Sequence, residues 1–175
     1  MTSAPDGTWL ASAGNDATVR IWDPRAGRLL HTLTGHTQRV VALVAEPDGA
    51  WLASAGRDAT VRIWDLRTGG LRHTMTGHAG GVTALAVAPD GTQLASAGAD
   101  ATVRVWDPAG GHRRAALRVG HPLRSAVWVD RTRVVVAGER GLYFLRVAGT
   151  AERSRAGPRS GGRGVRRVPA ARAKC

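Results

Sequence analysis

His36, Ser54 and Asp58 carry the three side chains of a nucleophile triad, and His78, Ser96 and Asp100 carry them again 42 residues later. Read as chemistry, an imidazole beside a hydroxyl and a carboxylate could activate the serine for acyl transfer. That reaction needs one strained nucleophile next to an oxyanion hole and an open pocket. A set reproduced at a fixed period, each time with the same turn and the same tryptophan (Trp64 or Trp106), is instead the mark of an internal brace, and no catalytic residue is expected. The six histidines raise a second chemistry, metal ligation. His31 and His73 also stand 42 apart, but no two histidines sit two or four residues apart and no carboxylate cluster completes a site. Solvated or structural histidines are therefore expected, and no metal. The single cysteine, Cys175, supplies neither a thiolate site nor a disulfide framework and points to a reducing compartment. There is no Gly-rich phosphate loop, dinucleotide fingerprint or serine elbow, so no cofactor is expected.

The elements that must position these side chains recur with the same period. PDGTWLASAGNDATVRIWD from Pro5, PDGAWLASAGRDATVRIWD from Pro47 and PDGTQLASAGADATVRVWD from Pro89 are three copies of one unit. Trp22, Trp64 and Trp106 fall 42 apart, as do Asp16, Asp58 and Asp100, and Gly-His recurs at Gly35-His36, Gly77-His78 and Gly120-His121. Such a period marks an array in which each unit covers its neighbour's apolar face. Short β-branched runs bounded by Gly, Pro, Asn and Asp predict four strands per unit, in the second at Val40 to Ala45, Trp51 to Ala55, Thr60 to Trp64 and Leu71 to Met75. Pro47-Asp48-Gly49 supplies a preset φ, an acceptor side chain and a residue free to take positive φ. No helical period competes.

Composition divides the chain. Residues 151–175 hold eight of the 25 Lys and Arg and one of the 13 acids, so they carry most of the net charge of +12. They lack aromatics, are rich in Gly, Pro, Ser and Arg, and cannot bury enough apolar area to offset ordering, so a disordered basic tail is expected. The N-terminus does not read as a signal peptide and no apolar run approaches the ~20 residues of a membrane span. A soluble, cytoplasmic protein without a membrane partner is the expectation.

The order Gly-His, strand, Pro-Asp-Gly, Leu-Ala-Ser-Ala-Gly, Asp, then Thr-Val-Arg-Ile-Trp-Asp resembles the WD-repeat family of β-propellers over about residues 5 to 148. The resemblance implies an all-β fold of four-stranded antiparallel blades around an axis. The array would occupy residues 1–150, with blades at approximately 5–34, 36–76, 78–118 and 121–148. It also implies a hydrogen-bonded chain inside each blade, mapping to His36, Ser54, Asp58 and Trp64 and to His78, Ser96, Asp100 and Trp106. The chemistry fits, since a Ser hydroxyl can accept from an indole N–H and donate to an imidazole whose other nitrogen faces Asp. The pattern fails at both ends. The first unit starts at Pro5 without Gly-His or a first strand, so Ser12, Asp16 and Trp22 have no His. In the fourth, aligning Gly98 with Gly138 puts Val136 at the Ser position, Arg140 at the Asp position and Arg146 at the Trp position, and no fourth strand is expected. Two complete and two incomplete blades make a partial propeller. Closure into a small four-bladed ring, completion by further chains and a fragment of a larger protein are the three ways to resolve it, the fragment being favoured.

Between units the framework stays constant while one face changes. Asn15, Arg57 and Ala99 occupy one turn position, Arg39 and Gly81 another. Asn15, Arg39 and Arg57 are the candidate contacts for a protein partner, Arg being favoured at interface anchors; the competing reading is unconstrained loop positions. A noncatalytic protein-interaction scaffold or sensor module is the expected function. The alternative is weak, sequence-insensitive binding of nucleic acid or an anionic surface through the Arg-Gly tail, which lacks aromatics to stack on bases.

Overall fold

The computed structural model describes residues 1–147 and the backbone of 165–168. Every regular element among them is a strand, and no helix is long and apolar enough to cross a membrane. Sixteen strands form four antiparallel sheets, each a meander in chain order. The first holds β1 (Thr2–Ser3), β2 (Leu10–Ala13), β3 (Val19–Asp23) and β4 (Arg28–Leu33). The second holds β5 (Val40–Ala45), β6 (Trp51–Gly56), β7 (Val61–Asp65) and β8 (Leu71–Met75). The third holds β9 (Val82–Val87), β10 (Leu94–Gly98), β11 (Thr102–Asp107) and β12 (His112–Arg118). The fourth holds β13 (Leu123–Trp128), β14 (Arg133–Gly138), β15 (Gly141–Val147) and β16 (Val165–Val168).

The core lies between sheets. Ala11, Val19, Ile21 and Leu33 of the first blade pack on Val40, Leu52 and Trp64 of the second. Ala53, Ala55, Val61, Ile63 and Met75 pack in turn on Val82, Leu94 and Trp106 of the third. The third then covers the fourth through Val103 and Val105 against Leu123, Val134 and Leu145. None of the three apolar clusters joins the fourth blade to the first, and Leu142 and Phe144 of the fourth are 57% and 42% exposed. Among the described residues the four blades thus stand as an open array and not as the small four-bladed ring.

The ends differ from expectation in three ways. The first blade keeps a two-residue inner strand, because Thr2 and Ser3 pair with Ala11 and Leu10. The fourth has an outer strand after all, drawn from the Arg/Gly-rich segment, with Val165 to Val168 paired to Val147 to Phe144. An edge strand needs only ladder hydrogen bonds to a free neighbour, a gain that composition does not report. The remainder of the expected disordered tail lies outside the described residues. The turn between β14 and β15 is one residue shorter than its counterpart, so Leu145, not Arg146, pairs with Val134 as Trp106 pairs with Leu94.

Candidate functional site

The most organised polar cluster in each middle blade starts from a strand buried along its whole length. In β6, Ser54 is fully buried; it pairs with Arg62 of β7, and Trp64, paired with Leu52, is its diagonal neighbour. Trp64 Nε1–H donates to Ser54 Oγ at 2.7 Å, and Ser54 Oγ lies 2.7 Å from His36 Nε2. His36 Nδ1 lies 2.8 Å from Asp58 Oδ2, and the imidazole and indole rings stand 6.5 Å apart, tilted by 54°. The third blade repeats the set: Trp106 to Ser96 at 2.8 Å, Ser96 to His78 at 2.7 Å, and His78 Nδ1 at 3.1 Å from both Asp100 oxygens. One proton arrangement satisfies every group. Nδ1–H donates to the carboxylate, and the serine hydroxyl accepts from the indole and donates to Nε2, so the imidazole is neutral.

The electrostatics agree with that assignment. Burial holds His36 and His78 below the usual histidine range, against Asp58 and Asp100, which work to raise them, and with help from the charges of Arg62 and Arg104. Burial works to raise the Asp58 carboxyl, but hydrogen bonds from His36, Thr37 and Thr60 outweigh it and leave the group below its ordinary value. Asp100 follows the same balance. Both serines are fully buried, and each hydroxyl is committed to a Trp and a His. Two shallow grooves among the described residues, of 160 and 390 Å³, lie elsewhere, around Trp9 and the Pro47 turn. Among the described residues no group of three or more His, Cys, Asp or Glu side chains is placed to hold a metal ion. What this arrangement does is lock the Gly-His loop and the Asp turn onto the blade.

Two kinds of participant escape a reading of the chain alone. Thr60 and Thr102 donate through both N–H and Oγ1 to Asp58 and Asp100, and their hydroxyls approach His36 and His78 Nδ1 at 3.3 and 3.1 Å. Arg62 and Arg104 lie beneath the Gly-His loops, where a Cβ on Gly35 or Gly77 would come within 2.7 or 2.6 Å of a guanidinium nitrogen. Both glycines also have positive φ, +146° and +136°, so two independent constraints select Gly there. Recurrence of Thr18, Thr60 and Thr102, and of Arg20, Arg62 and Arg104, is the signal in the sequence that could have found them. The Asp after each Trp serves a different turn. Asp65 Oδ1 caps the N–H groups of Arg67 and Thr68 while Oδ2 takes Arg72 at 2.6 Å, and the pairing with Arg72 brings the carboxyl down to about 2.

Asn15, Arg39 and Arg57 all lie exposed. Short backbone links join their turns. Val40 N–H reaches Gly14 O at 3.3 Å, Arg57 N–H reaches Arg39 O at 3.0 Å, and Ala99 N–H reaches Gly81 O at 2.9 Å. A Cβ on Gly81 would lie 3.2 Å from Arg57 Cα, so the Arg57 turn abuts the next blade's loop. The positions that vary between units thus form one row across three blades. Neither Arg39 nor Arg57 has an ion-pair partner among the described residues.

The family model described as "WD domain, G-beta repeat" matches residues 1–23, 27–65 and 69–107. Among solved structures, that of U3-55K is similar at 27% identity and a TM-score of 0.78. The match covers 82% of this chain and 46% of the other, so the chain spans about half the length of that structure's chain.

Proposed function

Since the chain belongs to the WD-repeat family, whose members generally serve as protein-interaction scaffolds, we propose that it is a noncatalytic scaffold that binds an acidic protein segment along the row Asn15, Arg39 and Arg57. The observation that carries the reading is the contrast between units. The buried brace is the same in the second and third blades, while exposed residues at corresponding turn positions change in kind and include two unpaired arginines. A surface selected for packing alone has no need of uncompensated charge in a row, whereas Arg is favoured at interface anchors. The buried serines support the noncatalytic part, because an acyl acceptor must be reachable by substrate.

The test is fluorescence anisotropy of a panel of labelled acidic peptides with the 175-residue chain. Binding is expected to weaken at least tenfold in the double variant Arg39→Glu/Arg57→Glu and to be screened by salt. Peptides that bind both forms equally would remove the row as the contact surface.

A further inference from the structure

The end blades expose the two faces that pack together at every junction inside the array. Toward the following blade, Val19 and Ile21, Val61 and Ile63, and Val103 and Val105 occupy corresponding positions and are at most 1% exposed. The fourth blade's register puts Leu142 and Phe144 there, opposite Ala137 and Val135. They are apolar like their counterparts, yet 57% and 42% exposed, and Val127, across from Val135, is 55% exposed. Toward the preceding blade, Leu52 with Trp64 and Leu94 with Trp106 are at most 2% exposed. Leu10 and Trp22 form the same cross-strand pair in the first blade and are only half-buried.

A steric detail marks the first blade's free face as the same kind of socket. A Cβ on Gly69 would lie 2.7 Å from His31 of the preceding blade, and one on Gly111 2.5 Å from His73, whereas Gly27 at the matching turn has nothing within 4 Å. The side chain that fills this slot at the inner junctions belongs to a preceding blade.

We propose that a second copy of this chain covers both faces, head to tail, with the fourth blade of each copy packed on the first blade of the other. The contact continues the established inter-blade interface: Leu142 and Phe144 would take the places of Val61 and Ile63, and Leu10 and Trp22 those of Leu94 and Trp106. Such a heterologous contact either closes or runs on as a filament. Each copy holds four sheets, so two copies hold eight, the upper end of what closed propellers use, and a third would exceed it. Closure also removes the exposed apolar face that a lone array would present to water. The inference uses the ends of the array, not the arginine row, and stands apart from the function proposed above.

The experiment is the mass of the 175-residue chain in solution by light scattering on a sizing column, and the expected value is twice 18.4 kDa. Leu142→Asp/Phe144→Asp and Leu10→Asp should each run as folded monomers with unchanged far-ultraviolet circular dichroism. Mixed in equal amounts they should give a dimer again, because one intact junction remains between the good first blade of one and the good fourth blade of the other. If Leu10→Asp does not fold, Leu10→Ser, a smaller polar side chain at the same half-buried position, takes its place. A monomeric wild type overturns the proposal. So does a dimer lost in the fourth-blade variant but kept in the first-blade variant, which is a face-to-face contact, and so does a ladder of sizes, which is a filament.

Discussion

The first and second blades contain the same eight residues, Asp-Ala-Thr-Val-Arg-Ile-Trp-Asp, at 16–23 and 58–65, and fold them into the same turn and strand with different wiring. In the second, Asp58 takes His36 and the Thr37 N–H, and Arg62 lies under Gly35. In the first there is no Gly-His loop, and Asp16 takes Arg20 at 2.7 Å with the two side chains 47% and 37% exposed. The pair Trp22 to Ser12 survives at 2.9 Å, but the serine has no imidazole and the tryptophan has no preceding blade over it. Local sequence therefore sets the strand, the turn and the indole–hydroxyl bond. What partners the carboxylate is decided by a loop about twenty residues upstream.

Truncating the tryptophans should show the comparison at its largest. Trp64 is 2% exposed within the junction between the first two blades, so Trp64→Ala is expected to cost about 3–5 kcal/mol, the range for emptying a packed aromatic site. Trp22→Ala should cost less than half as much in the lone array. Denaturant unfolding measures both, and equal losses would mean that the first blade's free face is covered. In the two-copy ring Trp22 joins an interface, so its effect should grow with protein concentration, which ties the two tests together.

Removing the carboxylates comes next. Asp58→Ala strands His36 Nδ1–H and the N–H groups of Thr37 and Thr60 in a turn where the Asp side chain is 4% exposed, and about 1–3 kcal/mol should be lost. Asp16→Ala breaks an exposed pair whose Asp side chain is 47% exposed, a far smaller loss that salt should screen. A loss for Asp16 matching that for Asp58 would show that Thr18, not histidine, carries the turn, since Asp16 bonds Thr18 in both ways that Asp58 bonds Thr60.

Most of this brace was implied by the resemblance to the WD-repeat family, and its chemistry could be checked in the sequence because each member recurs and has one chemical need. A buried indole N–H requires an acceptor, and Ser54 or Ser96 supplies it from the neighbouring strand. The legibility stopped where partners came from outside the repeat or from its least conspicuous residues. Thr60 and Thr102 look like ordinary β-branched strand residues until their hydroxyls are seen on Asp58 and Asp100. In the fourth blade one residue fewer in the turn moved Leu145 into the Trp position, with Val136 at that of Ser96, so both partners of the hydrogen bond are apolar together and nothing is left unsatisfied. Strand β16 could not be read from its composition, because an edge strand takes its stability from the neighbour it extends. The contact role proposed for Arg39 and Arg57 depends on a second molecule, so it has no counterpart in the packing of the chain itself.

Acid should give the smallest and most discriminating effect. Burial first, and then the charge of Arg62, keeps His36 below its ordinary value of 6.5 despite Asp58, and His78 is held down in the same way. The unfolded chain takes up these protons as pH falls through about 6.5, and the folded chain does so only at lower pH. The unfolded state thus binds more protons in that window, and stability should fall as pH drops from about 7.5 toward about 5.5 while staying flat above it. Loss from Asp58 and Asp100, whose values lie below 3.8, belongs to a separate, more acid window. Denaturant midpoints at about pH 7.5, 6.5 and 5.5 would show it, and His36→Gln should remove only its own share because His78 remains. A midpoint that rises on acidification would mean that each imidazole is charged against its aspartate. The serine hydroxyl would then have no acceptor, and the neutral brace that separates the middle blades from the first would be wrong.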